Sequence, residues 1–585
     1  MINRIRTATT LLLLCVGFTL IFQLSQKGID FSDEGKYLLD ARYPDLSTSL
    51  ITHYGYVYHF LFSLINYDVA LFRFLNFLIT FGIAATTTSF ILKYLNLVPK
   101  QNSYLSFNIS ITSGIVSLTH FSVFWLPTPS YNSLTFQLMM ICLMAIARFF
   151  YKSGSKISLA TLVFTSLPFA LLFLAKPPAF LMLIFMFSLV FKITHQIDFR
   201  MFCTFIASLF SWISVFSFLI YGNILGIFES IKSGIWYAQK LTDTYNTKSQ
   251  ISLDTPPNSI LLGIFCSLTI FLFFYAEKKY PRNLPSNFWV LLIVSGILLF
   301  FVIQFQDRIF ETFGNSFLIL IAFVFIGLAI DKVDFQSLIG VNKLIWAILM
   351  LPFVCAVGTN NNIWIQGSMN FYFVYLFGLF FLLHFKPSFF LDQRSYLSLI
   401  LVMVMSLGSI TSITHKPYRQ ISPLSANDFE LTFPNELDGI QVTKDVALRI
   451  REMLSAMELA GFKSGTPVID FSGQSPTSLF IAQAIPVGDS WLIGGYEGSN
   501  TFAIEKLSEV DCDELRTSWL LIEDGGPKSL NHQMVLNQLG LSFSSYGKVA
   551  TWRTPEGAGG YEFSREQSFY KPLNSLEVCE SGSKS

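Results

Sequence analysis

Apolar runs of about 18 residues or more recur along this chain, each long enough to cross a hydrocarbon core of about 30 Å as a helix. In lipid every backbone polar group of a span must be satisfied internally, so a chain of this kind folds as a bundle of membrane helices. The 585 residues are 52% hydrophobic and 13% charged, with 62 Phe, where a soluble protein carries roughly 25% charged residues. A net charge of +1 gives no reason to expect a nucleic-acid partner.

The runs predict spans at 7–24, 71–94, 104–125, 132–151, 157–174, 178–194, 201–221, 259–276, 288–304, 315–330, 343–358, 367–384 and 396–413, about 13 in all. Arg4 and Arg6 precede the first, and Phe18, Ile21, Phe22, Gln23 and Leu24 stand where a signal-peptide cleavage site would lie. It is expected to be a retained helix with a cytoplasmic N-terminus. An odd number of spans then places the tail outside. Loops assigned to the cytoplasm agree with this, carrying Lys93 and Lys100, Lys152 and Lys156, Lys192 and Arg200, Lys278, Lys279 and Arg282, Lys332 and Lys343, and Lys386 and Arg394. The short external connections are poor in cations, with Arg308 in 304–315 and none in 120–131 or 359–367.

Two external loops are long, at about 25–70 and about 222–258, so the working surface is expected outside. The first contains an amphipathic stretch at 54–65 suited to the membrane interface. The expected fold is thus a polytopic α-helical membrane domain over 1–413 followed by an extracytoplasmic α/β domain over 414–585. In that tail, helical spacing at 443–460, 475–484 and 529–539 alternates with strand-like runs at 467–471 and 519–522. Asp470-Phe471-Ser472-Gly473 follows the first strand as a turn. Cys15, Cys142, Cys203, Cys266 and Cys355 lie in or near apolar spans and read as buried thiols. Cys512 and Cys579 are candidates for a disulfide in an external tail.

The residues suited to chemistry lie on the external side. Asp33 and Glu34 follow the first span within ten positions, with Tyr37, Leu38 and Leu39 behind them, as though the loop folds back onto the membrane. Adjacent helical residues diverge by about 100°, so one acid can face a cavity while the other caps or pairs. Arg73 opens the second span, where a cation either snorkels or meets a phosphate. Lys176, in Lys176-Pro177-Pro178, stands at an external helix break and is a second phosphate candidate, beside the plain reading of a loop lysine. Tyr131 and Asn132, in Pro127-Thr128-Pro129-Ser130-Tyr131-Asn132-Ser133, are able to donate hydrogen bonds to a sugar, beside the plain reading of a turn with a Ser130 or Asn132 cap. His53 and His59 have no partner at metal spacing. No GxSxG, GK[ST] or HExxH pattern supports a serine hydrolase, nucleotide hydrolase or zincin.

On Asp33-Glu34-Gly35-Lys36-Tyr37, Arg73, and about 13 spans ending in an external α/β tail, the chain resembles the GT-C superfamily of integral-membrane glycosyltransferases. It is most similar to the branch that includes protein O-mannosyltransferases and the bacterial lipid A aminoarabinose transferase. Relatives in this branch often carry a Lys-Pro-Pro element between the acidic pair and the arginine. Here that stretch is His53-Tyr54-Gly55-Tyr56, and Lys176-Pro177-Pro178 is not its equivalent.

The resemblance implies transfer of a hexosyl or pentosyl group from a polyprenyl-phosphate donor to a glycan, lipid or protein acceptor, at the bacterial inner membrane and outside the cytoplasm. It implies Asp33 as base with inversion at the anomeric carbon, Glu34 orienting Asp33 or the acceptor, and Arg73 on the donor phosphate; by their own positions Lys176 is a second phosphate candidate and Tyr37, Tyr131 and Asn132 are substrate candidates. Some superfamily members place a divalent ion such as Mg or Mn at the first-loop carboxylates, here Asp33 and Glu34, and others use none. No nucleotide or organic cofactor is expected. A transporter or flippase of lipid-linked glycans is the main alternative, but mid-span charge is nearly absent and no internal repeat is visible. An O-antigen-type polymerase or ligase would place key arginines in large late external loops, and a scaffold would not need so many spans.

Overall fold

The computed structural model describes residues 2–46, 49–99, 102–151, 158–194, 199–241, 343–359, 362–385, 393–431 and 439–573. The expected spans at 259–276, 288–304 and 315–330, and the second half of the second long loop, lie outside the described residues.

The apolar runs fold as helices. In chain order they are α1 (Ile2–Ser25), α2 (Asp33–Arg42), α3 (Tyr54–Leu64), α4 (Val69–Tyr94), α5 (Ser103–Ser117), α6 (Tyr131–Tyr151), α7 (Leu159–Ala175), α8 (Pro177–Thr194), α9 (Phe199–Tyr221) and α10 (Gly226–Leu241). Further along come Lys343–Ala356, Ile363–Ser368, Phe371–Phe385 and Gln393–Ile413. Among the described residues, three helices are long and apolar enough to cross a membrane: Arg4–Ser25, Val69–Tyr94 and Arg200–Tyr221. Shorter apolar helices include Leu159–Ala175, Lys343–Ala356 and Phe371–His384. Exposed Phe164, Phe185, Phe218 and Leu219 give this bundle an apolar outer surface.

Helix ends meet in two groups among the described residues. Arg73, at the start of α4, reaches the carbonyl of Ser25 at the end of α1. Lys176, just past α7, reaches the carbonyl of Cys355 near the end of Lys343–Ala356. Gln366 reaches Asn132 at the start of α6. At the opposite ends, Tyr396 meets Thr10 and the carbonyl of Arg6. α3 exposes Phe60 and Leu64 on one side while burying Tyr54, Tyr58 and Phe62.

Residues beyond 414 build a five-stranded mixed sheet in the order β4-β3-β5-β7-β6, beside a small antiparallel pair, β1 (Phe429–Glu430) with β2 (Gln441–Val442). β3 (Pro467–Asp470), β4 (Ile485–Pro486) and β5 (Trp519–Ile522) are parallel; β6 (Tyr546–Arg553) and β7 (Glu566–Pro572) add antiparallel strands at one edge. β5 is buried along its whole length, which is why it reads as an unbroken apolar run. Thr443 caps the helix Lys444–Leu459 through the amide of Val446. Cys512 is disulfide-bonded, and its partner lies outside the described residues.

This sheet meets the first loop directly. The short helix Pro476–Ile481, which follows β3, packs against α2, and Thr477 Oγ1 donates to the carbonyl of Asp30 at 2.7 Å. The approach requires glycine at 35, because a Cβ there would lie 2.1 Å from the Thr477 nitrogen. Gly35→Ala is therefore expected to push α2 away from the tail. The overpacking should cost about 1–3 kcal/mol, read as a lowered melting temperature in detergent; an unchanged melting temperature would refute the close packing. α10 makes a second junction through Lys240 with Glu505 and through Tyr237 with Glu509 and Phe502.

Candidate active site

Asp33 and Glu34 open α2 and diverge. Glu34 turns inward and is 2% exposed. Its Oε1 accepts from Arg73 Nη2 at 2.7 Å and Nε at 2.9 Å and from the Thr128 hydroxyl; its Oε2 accepts from the amide of Asp30 at 3.0 Å. Arg73 is 1% exposed and spends its remaining donors on the carbonyls of Ser25 and Gly28, each at 3.0 Å. One buried ion pair thus ties α1, the first loop, α2 and α4 together, with Thr128 closing it from the turn before α6.

Asp33 turns the other way. Its Oδ2 accepts from the Tyr418 hydroxyl at 2.9 Å and from Arg419 Nη1 at 3.1 Å. It lines a cavity of about 540 Å³ together with Tyr37, Tyr131, Asn132, Tyr418 and Arg419. Arg419 Nη1 also donates to Ser32 Oγ at 2.5 Å, and Ser32 Oγ donates to both carboxylate oxygens of Asp30 at 2.9 and 3.0 Å. No protein acceptor is found for Arg419 Nε and Nη2, nor a donor for Asp33 Oδ1, among the described residues.

The sugar-contact candidates share this cavity. Tyr37 stands edge-to-face with Tyr54 and with Tyr131. Asn132 accepts from Gln366 at 3.2 Å. Ser130 and Ser133 bond reciprocally, each amide to the other hydroxyl, and fix the start of α6 so that Tyr131 and Asn132 face inward.

The phosphate candidates are placed differently from the sequence expectation. Arg73 does not line the cavity, and all its nitrogens are committed to Glu34, Thr128 and two carbonyls. Lys176 is 2% exposed, donates to the carbonyl of Cys355 at 2.7 Å, and sits 5.9 Å from the Tyr131 ring centroid, behind the cavity wall. Buried with these partners, both cations brace the helices around the site, and neither is among the residues lining the cavity. Among the described residues the Lys or Arg that lines the cavity is Arg419. In sequence Arg419 looks like any cation of the tail, and its one signal is that Lys416-Pro417-Tyr418-Arg419 leaves the last apolar helix on the expected external side.

A divalent ion shared by Asp33 and Glu34 does not fit this arrangement, since the two carboxylates face different arginines. Among the described residues no group of three or more His, Cys, Asp or Glu is placed to hold a metal.

Asp30 is fully buried, and its carboxyl is pushed up to about 7 by that burial and by the charge of Asp33 beside it. Its folded value lies above the ordinary 3.8. Its contribution to stability is therefore complete below about pH 3.8 and is lost as pH rises through about 7. Asp470, pushed up to about 6 by burial, acts with the same sign. The melting temperature should fall between pH 5 and pH 8, and Asp30→Asn should flatten part of that fall. A variant as pH-dependent as the wild type would contradict the assignment.

No protein-family model matches the chain, and no curated protein matches it. Among solved structures it is similar to the crystal structure of ArnT from Cupriavidus metallidurans bound to undecaprenyl phosphate, at 14% identity, with 96% of this chain and 98% of that chain covered and a TM-score of 0.43. It is also similar to the apo state of the same protein, at 11% identity, the same coverage and a TM-score of 0.39.

Proposed function

We propose that this chain is a GT-C-type glycosyltransferase that moves a sugar from a polyprenyl-phosphate donor to an acceptor outside the cytoplasm. The observation that carries the reading is the position of Asp33. It is a part-exposed carboxylate on a cavity walled by tyrosines and an asparagine and bordered by an arginine, and among the described residues one of its oxygens and some of that arginine's donors have no protein partner. The residues of the acidic pair resemble those of that superfamily.

The chemistry follows from these groups. Asp33 Oδ1 takes the proton of the acceptor hydroxyl. The acceptor oxygen attacks the anomeric carbon from the face opposite the phosphate, and configuration inverts. The bond from the anomeric carbon to the phosphate oxygen breaks, and its electron pair stays on the carrier. Arg419, which borders the same cavity, stabilises that growing charge. As Asp33 becomes neutral, the charge of Arg419 ceases to be balanced by it and is available to the phosphate. Phosphate leaves without a general acid. Tyr37, Tyr131 and Asn132 orient the sugar. Arg73, Glu34 and Lys176 hold the frame.

The cation pattern of the loops and the disulfide at Cys512 favour a tail on the oxidising side of the membrane and a cytoplasmic N-terminus. The test is direct. Purified protein in lipid nanodiscs receives labelled polyprenyl-phosphate sugars and a cell-envelope extract. Protein-dependent release of polyprenyl phosphate, with label passing to an acceptor, is expected. No release from any donor would end the reading.

A further inference from the structure

His120 stands on the wall of the cavity that holds Asp33. α5 ends at Ser117, and Leu118–Ser122 continue as a tighter 3-10 turn. The hydroxyls of Ser117, Thr119 and Ser122 each donate to the carbonyl three residues back, which draws the chain into that turn. The imidazole is then fixed by its neighbours. It stacks on Phe136 of α6, with centroids 4.6 Å apart and planes 1° from parallel, and it meets Phe121 nearly at right angles at 5.1 Å. Nδ1 lies 3.1 Å from the carbonyl of Met369, in the break between the helices Ile363–Ser368 and Phe371–Phe385.

This clamp decides the tautomer. A carbonyl only accepts, so Nδ1 carries the proton, and in the neutral ring the free lone pair is on Nε2. Nε2 has no hydrogen-bond partner among the described residues. One face of the ring is taken by Phe136 and the Nδ1 edge by Met369. The edge that carries Nε2 is left to line the cavity, with Tyr131, Asn132 and Gln366. His120 is 3% exposed, and a polar atom so enclosed is costly to leave unpaired. A lone pair repels phosphate oxygens, which also accept, and pairs with a hydroxyl. The donor sugar has to sit whole in the cavity for its anomeric carbon to be attacked. The acceptor need bring only one hydroxyl to Asp33.

We propose that His120 Nε2 accepts a hydrogen bond from a hydroxyl of the donor's sugar, and so selects sugars that carry a hydroxyl at that position. This rests on the reading that a polyprenyl-phosphate sugar binds beside Asp33. A sugar lacking that hydroxyl leaves the nitrogen unpaired, and sites built to bond a hydroxyl discriminate strongly against its absence. His120 binds substrate in this role, and no proton passes through it.

Two variants separate binding from packing. His120→Asn keeps an N–H near the place of Nδ1 for the Met369 carbonyl and removes the acceptor. His120→Gln places an amide oxygen near the place of Nε2 and gives up the Met369 bond. The probes are polyprenyl phosphate, bare or carrying a hexose, a pentose or an N-acetylhexosamine, titrated onto the full-length protein in nanodiscs of neutral lipid. Wild type should bind at least one sugar-bearing carrier more tightly than the bare one. For that donor His120→Asn should weaken binding about 10- to 100-fold, the loss of one hydrogen bond to a buried group, with affinity for bare polyprenyl phosphate unchanged. His120→Gln should keep most of the sugar's contribution and melt at a lower temperature. Among singly deoxygenated forms of that sugar, one should weaken wild type by the same factor and His120→Asn no further. An equal loss for bare and sugar-bearing carrier, or full affinity in His120→Asn with a loss in His120→Gln, would overturn the proposal. So would a wild type that binds no sugar-bearing carrier more tightly than the bare one, while the transferase reading is judged separately by release of polyprenyl phosphate. If wild type binds a donor and transfers no sugar, the transferase reading fails and the His120 comparison still decides this one.

Discussion

Asp33→Asn should lower turnover by roughly 10²- to 10⁴-fold, the range expected for loss of a positioned general base, with little change in stability. Asparagine keeps the shape and the oxygen that accepts from Tyr418 and Arg419, so the cavity wall should persist. The pair with Arg419 is part-exposed on both sides, and such pairs are worth only about 0–1 kcal/mol. The loss should therefore appear in kcat, with binding of free polyprenyl phosphate little altered and the melting temperature within the error of the wild type. Full turnover by Asp33→Asn would remove the base. A large drop in melting temperature would instead make Asp33 a structural carboxylate.

The second large effect is structural. Arg73→Ala leaves Glu34 buried and charged, with its principal partner gone. It also strips donors from the carbonyls of Ser25 and Gly28. Removing one partner of a buried pair costs about 3–5 kcal/mol. Glu34→Ala should cost a similar amount, because Arg73 is then unpaired at 1% exposure. The two together should cost less than the sum of the singles, since each already breaks the same bond. Melting in detergent measures all three. The sequence-derived alternative, Arg73 as a ligand of the carrier phosphate, predicts a normally folded Arg73→Ala protein with a raised donor KM. That result would overturn the bracing role.

These two variants mark how far the sequence could be read. The spans were legible because hydrocarbon imposes a length and an apolar composition on any helix that crosses it, and α4, α6 and α9 lie within two residues of the runs that predict them. β5 was legible for a related reason, being buried on both faces. β6 was not. It is largely exposed on one face, contains Gly547 and Lys548, and breaks its alternation at an irregularity between Lys548 and Ala550. In the site, Asp33 announced itself by its place beside a span. The division of labour between Asp33 and Glu34 was open, because it depends on which arginine each meets, and Arg419 is separated from Asp33 by almost the whole membrane domain. Arg73 drew the phosphate role in sequence because a cation at a span end has no visible partner. Its partner proved to be the neighbouring carboxylate of the same acidic pair.

The account turns on where the carrier headgroup sits. Cryo-electron microscopy of the protein in nanodiscs with bound polyprenyl phosphate measures this directly. The phosphate should lie in the cavity beside Asp33, within hydrogen-bond distance of Arg419, with the Arg73–Glu34 pair intact beneath it. A phosphate bound at Arg73 with that pair broken, or bound away from Asp33 altogether, would contradict it.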